Sequence, residues 1–143
     1  MIEVYNNQES IELSDALLEK LERAACCALP LALAHPAHGG GVLPDLDFVE
    51  VSIVDDPTID QVHRDFMDIP GATDVITFAH GEIVLSADTA KSYGAEYGND
   101  FERELMLYIV HGLLHLSGHE DAIDSERAAM EVIQFEILEE VWS

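Results

Sequence analysis

Apolar positions along the chain change their period several times, and each change predicts a different element. Residues 2–5 (IEVY) alternate with period two and predict a short strand. From Asp15 to Leu33 apolar residues recur at helical spacing behind Ser14, whose hydroxyl suits an N-cap. A helix is expected there, with Pro30 near its end. The stretch HPAHGGGVLPD (35–45), with three consecutive glycines and two prolines, fits neither period and predicts a loop. Its histidines, His35 and His38, are expected to be solvated rather than ligating. Strict alternation returns over Asp47–Val54 (DFVEVSIV), a half-buried strand, and Pro57 then suits the first turn of a short helix through Phe66.

The segment TDVITFAHGEIVLS (Thr73–Ser86) predicts two strands joined near His80-Gly81, as a hairpin or as one bulged strand. A helix from about Asp88 to Tyr97 follows, ended by Gly98. Asn99 or Asp100 caps a long apolar helix, Phe101–Leu116, stopped at Gly118, and Asp124 caps an amphipathic last helix. The order β-α-β-α-β-β-α-α-α predicts an α+β (mixed α/β) fold. We expect a single domain over 1–143, with a mixed sheet of about four strands packed with helices.

Composition narrows the class. At 143 residues, 48% hydrophobic and 24% charged, the chain is globular rather than disordered. The opening MIEVYNNQES has neither a basic nor an apolar leader region, and the most apolar stretch, Ala24–Ala34, is short and broken by Pro30. A soluble, cytoplasmic protein with no membrane partner is expected. Adjacent Cys26 and Cys27 match no metal or redox spacing and are expected to be small buried hydrophobes. Charge is lopsided: 29 acidic residues face 6 lysines and arginines, a net charge of −23. Such a chain repels polyanions at long range, so the charge reads first as a solubility or salt-adaptation feature.

The chemistry concentrates in HGLLHLSGHED (111–121). His111 and His115 stand i, i+4, so both imidazoles leave one helix face a turn apart, a spacing that suits two nitrogen ligands of a tetrahedral zinc. Both lie in a strongly apolar run, where unpartnered imidazoles would be costly to bury. Gly118 can turn the chain back after the helix, so His119, Glu120 or Asp121 could supply a third ligand. The HExxH peptidases need a glutamate directly after the first histidine; Gly112 occupies that position and removes the general base of that chemistry.

ELMLYIVHGLLHLSGHED together with TDVITFAHGEIVLS resembles the YbeY family of bacterial metalloproteins, endoribonucleases implicated in ribosomal RNA maturation. The resemblance covers roughly residues 47–140. The family's pattern is H-x3-H-x5-H on one zinc, and it implies one Zn2+ per chain held by His111, His115 and, six residues after His115, Asp121 in place of the third histidine. Aspartate is a competent zinc ligand; His119 is the alternative. The family commonly has an arginine six residues before the threonine of T-D-V, where this chain has Met67, with Arg64 one helical turn earlier. His80 reads as a turn residue that could also reach the site, and no general base is assigned.

Two functions from different classes follow. The resemblance implies a zinc-dependent hydrolase that cleaves single-stranded RNA, with a ribosomal RNA precursor as substrate and a role in ribosome quality control. The acidic composition and Met67 suit instead a metal-stabilised, ribosome-associated factor docked on basic ribosomal proteins, with little nuclease activity. A small-molecule metallohydrolase, which needs a closed apolar pocket, is a third reading. Convergence of Arg23, Arg64, Lys91 and Arg103 on the histidines would favour RNA.

Overall fold

The computed structural model describes residues 1–67, 74–98 and 100–142, without the side chain of His38. Among the described residues, nine regular elements follow in the expected order: β1 (Ile2–Asn6), α1 (Asp15–Leu33), β2 (Val49–Val54), α2 (Asp56–Met67), β3 (Val75–Phe78), β4 (Glu82–Ser86), α3 (Ala87–Tyr97), α4 (Phe101–Leu116) and α5 (Asp124–Val141). Short 3₁₀ turns at His38–Gly40 and Leu43–Asp45 punctuate the glycine loop.

The strands form one mixed sheet in the order β1-β2-β4-β3. β1 and β2 are parallel, as are β2 and β4, while β3 runs antiparallel to β4 at the edge. Between β3 and β4 the choice left open by the sequence resolves as a hairpin. Gly81 sits at φ 106° and donates to Phe78 O at 2.9 Å, closing a turn that a side-chain-bearing residue would strain.

Side chains sort by the two-residue period of the strands. Val51, Ile53, Ile83 and Leu85 join the main core with α1, α4 and α5, while Val54, Ile76 and Val84 meet Ile59 of α2 on the opposite face. β2 is therefore shorter and more buried than its alternation predicts. It begins at Val49, and four of its last five residues are buried, because helices cover both faces of this central strand. The fold class is the expected α+β.

The helix ends follow local rules with one correction. Ser14 accepts from Leu17 N–H at 3.1 Å, Ser86 from Thr89 N–H at 3.1 Å and Asp100 from Glu102 N–H at 3.1 Å. Asn99 lies outside the described residues. Asp124 is not a cap; it opens the first turn of α5, Ile123 holds the N-cap position without a side-chain bond, and the carboxylate pairs with Arg127. A negative charge in the first turn favours the helix dipole wherever the cap sits. Cys26 and Cys27 are also corrected: both are exposed thiols, because the buried face of α1 is set by Leu21, Ala24, Ala25 and Ala28, and the two cysteines fall between those rows. No described helix is long and apolar enough to cross a membrane.

Candidate metal centre

α4 reaches the site as an almost wholly buried helix, with Leu105, Ile109, Leu113 and Leu114 fully enclosed. Its packing fixes the rotation of the helix, and so the direction of His111 and His115. Gly112, between them, allows close contact with the sheet: a Cβ there would stand 2.8 Å from the Ile83 side chain. Gly118 then adopts φ 99°, and the chain doubles back so that His119 N–H reaches Leu114 O at 3.0 Å.

This turn is clasped from outside. Val42 N–H donates to Leu116 O at 2.9 Å and Ala37 N–H to Ser117 O at 3.0 Å, while Ser117 Oγ donates to Ala32 O at 3.0 Å. The glycine loop thus satisfies carbonyls at the end of α4 that have no partner within the helix. Gly41 is needed because Leu116 O would lie 2.3 Å from a Cβ.

At the turn, His111 Nε2, His115 Nε2 and Asp121 Oδ2 converge. The two nitrogens are 3.0 Å apart, and the carboxylate oxygen lies 3.4 Å from the first and 3.5 Å from the second. Ligand atoms about 2.0–2.2 Å from a tetrahedral zinc stand about 3.3–3.6 Å from one another; the two edges to Asp121 match one face of that polyhedron, and the edge between the imidazoles is shorter, at 3.0 Å. The three residues are the candidate ligand cluster among the described residues.

Proton placement makes the same point. His115 Nδ1 donates to the His119 carbonyl at 2.9 Å, and His111 Nδ1 donates to Gln134 Oε1 at 2.7 Å. A carbonyl can only accept, so neutral His115 carries its proton on Nδ1 and turns a lone pair outward from Nε2. Two such lone pairs at 3.0 Å repel unless a cation lies against both. Burial holds the His115 imidazole below its ordinary pKa, with His111 adding to the effect and Asp121 opposing it. A neutral, outward-facing imidazole is what a zinc ligand requires, and the outer partners fix its tautomer. The residues fit the metal.

His119, the alternative third ligand, points elsewhere. It is 8% exposed, and its Nε2 donates to His35 O at 2.6 Å, tying the turn to the end of α1. His80 is an exposed turn residue, 3.1 Å from Glu82 Oε1 and stacked on Phe78. Sequence reasoning missed Gln134, a buried amide on α5 whose only signal was polarity on a core-facing position. Removing Asp121 takes away a ligand, whereas removing the His119 ring leaves the carbonyl that orients His115. Asp121→Ala is therefore expected to weaken zinc by more than the ~10–100-fold typical of an outer partner, and His119→Ala by less. Metal occupancy after mild chelation checks this; a larger loss in His119→Ala would reverse the choice of ligand.

The cluster opens into a groove of about 570 Å³ between the turn after α4 and the edge strand β3 with the end of α2. Met67, at the position of the family's common arginine, lines it; Thr73 lies outside the described residues. Arg64 does not line it and pairs with Asp60 at 2.9 Å. Arg103 pairs with Glu139 at 2.9 Å, and no lysine or arginine lines the groove among the described residues. The basic convergence that would favour RNA is absent from these residues. Outside the groove lining, Phe66 of α2 meets Phe78 of β3 edge-on at 5.4 Å, and Phe78 stacks with His80 at 5.5 Å.

Comparison with known proteins agrees with this geometry. The family described as "Endoribonuclease YbeY" matches residues 3–142. Endoribonuclease YbeY of Symbiobacterium thermophilum is 34% identical, over 94% of this chain and 93% of its own length. That of Desulforamulus reducens is 32% identical, over 95% and 94%. A solution structure of a Thermotoga maritima protein is similar, with a TM-score of 0.67 and 27% identity, covering 99% of this chain and 89% of that one. With family, relatives and fold matching along nearly its whole length, the chain belongs to the YbeY endoribonuclease family.

Proposed function

We propose that this protein is a zinc-dependent endoribonuclease that cleaves single-stranded RNA in ribosomal RNA precursors. It acts in the cytoplasm in ribosome maturation and quality control, with residues 1–143 working as one unit. The observation that carries the reading is the convergence of His111 Nε2, His115 Nε2 and Asp121 Oδ2 in an open groove. Zinc in such a site supplies Lewis acidity, acidifying a water and drawing charge from a phosphoryl oxygen. Three protein ligands leave a fourth position open, the arrangement of catalytic rather than structural zinc.

The chain's own residues do the rest. Gln134 and the His119 carbonyl hold the imidazoles in the ligating tautomer. The groove, open along the edge of β3, admits an extended strand more readily than a duplex.

The charge of −23 makes salt the informative variable. A basic nuclease loses affinity as salt rises, since binding releases counterions from RNA. Here the acidic surface repels RNA at long range, and salt screens that repulsion, with a Debye length of about 8 Å at physiological ionic strength. Cleavage of a structured RNA with saturating zinc is expected to rise from very low salt towards physiological salt. A steep fall would overturn the screened-repulsion account. The groove's lack of lysine and arginine among the described residues favours a second reading, a metal-stabilised factor that binds ribosomal proteins; absence of chelator-sensitive cleavage at every salt would select it.

A further inference from the structure

Four consecutive residues, Asp74, Val75, Ile76 and Thr77, line the groove beside the ligand cluster. Side chains of a strand alternate between faces, so consecutive lining residues mean that the groove follows the edge of β3 rather than one of its faces. Register fixes which main-chain groups that edge offers. Ser86 N–H donates to Asp74 O at 3.0 Å, and Ile76 and Phe78 stand opposite Val84 and Glu82 in the same two-residue phase. Their N–H and C=O groups face β4, while those of Val75 and Thr77 face outward, along the groove. Val75 N–H is taken by Asp74 Oδ1 at 2.8 Å. There remain one donor, Thr77 N–H, and two acceptors, the carbonyls of Val75 and Thr77, with no partner among the described residues. On the opposite edge of the sheet, by contrast, Val4 N–H of β1 is capped by Glu22 Oε1 at 3.0 Å.

We propose that the open edge of β3 recognises the ribose-phosphate strand: Thr77 N–H donates to a phosphate oxygen, and the carbonyls of Val75 and Thr77 accept from ribose 2′-hydroxyls. This rests on the endoribonuclease reading above. No lysine or arginine lines the groove among the described residues, and a main-chain N–H binds a phosphate oxygen without one. The carbonyls can only accept, so a ribose hydroxyl satisfies them and a deoxyribose offers them nothing. Outward groups on a strand recur every second residue, about 6.4–6.8 Å, the scale of one nucleotide of an extended strand. The Asp74 carboxylate keeps phosphate away from the Val75 end, which sets the register: phosphate at Thr77, hydroxyl at Val75. An added peptide strand fits less well, because it needs a run of paired donors and acceptors and Val75 N–H is already taken. The edge therefore selects RNA over DNA and leaves base sequence unread.

The test measures binding of the full-length, metal-free protein to a short single-stranded oligoribonucleotide and to its 2′-deoxy and 2′-O-methyl counterparts. Ribose is expected to bind about 2–10-fold tighter than deoxyribose for each hydroxyl held. The 2′-O-methyl strand, which cannot donate, should bind no tighter than the deoxy strand. The Thr77 amide signal in NMR should shift as the oligoribonucleotide is added. Thr77→Pro removes the donor at a position facing away from the sheet, where proline is tolerated. It should weaken ribose and deoxyribose binding by a similar factor, and by more than Thr77→Val, which keeps the N–H. Equal affinity for ribose and deoxyribose, a Thr77 amide that stays still as RNA binds, or a loss in Thr77→Pro no larger than in Thr77→Val overturns the assignment. A Thr77 shift with an extended lysine-rich peptide and none with RNA overturns it too, giving the edge to a protein partner. Ribose-selective binding at Thr77 without chelator-sensitive cleavage by the zinc-loaded protein upholds the edge and overturns the endoribonuclease reading instead.

Discussion

His111→Ala is expected to purify with close to no zinc, against about one per chain for the parent protein. His111 acts on both sides of its ring. Nε2 forms two edges of the ligand triangle, at 3.0 Å to His115 and 3.4 Å to Asp121, and Nδ1 donates to Gln134 at 2.7 Å. Its loss leaves one imidazole and a partly exposed carboxylate, too few donors to displace water from zinc. It also leaves the 6% exposed Gln134 amide without its imidazole partner, which costs on the order of 1–3 kcal/mol. Acid should have a related effect on the parent. Because burial holds His115 below its ordinary pKa, that ligand stays neutral to a lower pH than a free imidazole, and metal release on acidification should lag behind a free-histidine titration. Metal analysis of both proteins decides the matter; full stoichiometry in His111→Ala would refute the site.

Gly118→Ala is expected to be the most damaging single methyl addition in the turn. The added Cβ would lie 1.9 Å from Ala37 O, a contact no rotamer relieves, and φ 99° is unfavourable for any side-chain-bearing residue. Strain of ~1–3 kcal/mol from the backbone adds to ~1–3 kcal/mol from overpacking, giving about 3 kcal/mol or more. For a chain of this size that lowers the melting temperature by about 6–12 °C. The turn would also be pushed off the clasp, displacing Asp121 and weakening zinc. Gly98→Ala is the control: it has φ 71° but nothing within 4 Å of the added methyl, so it should carry the backbone strain alone. Equal melting shifts in the two variants would show that contact with the loop is unimportant.

What the sequence revealed follows the range of the interactions involved. Period, caps and turn glycines act within a few residues, so the order of strands and helices, the Ser14 cap and the stop at Gly118 were legible. The His111–His115 pair was legible for the same reason, since four residues of helix fix its geometry. Asp121 needed the family's register, because three candidates followed the turn and spacing alone chose none. Gln134 and the clasp depend on contacts between distant segments, which no local pattern records. The cysteines were misjudged because apolar character says nothing about which helix face a residue occupies, and α1 is buried along the row from Leu17 to Ala32, which the cysteines miss.

The clasp has a consequence for the order in which the protein can be completed. Ser117 bonds a carbonyl 85 positions earlier in the chain, and His119 bonds one 84 positions earlier. On the ribosome, at about 5–20 residues per second, the end of α1 emerges roughly 4–17 s before the turn it will hold. Gln134, which sets the proton on His111, emerges later still. Such long-range closure is slow to form relative to local helix, so a nascent HGLLH segment exists before it has a fixed third ligand or a fixed tautomer. Tight metal capture at the proposed site would thereby be deferred to the nearly finished molecule, and metal retention would report on whether the end of α1 and the turn after α4 have met.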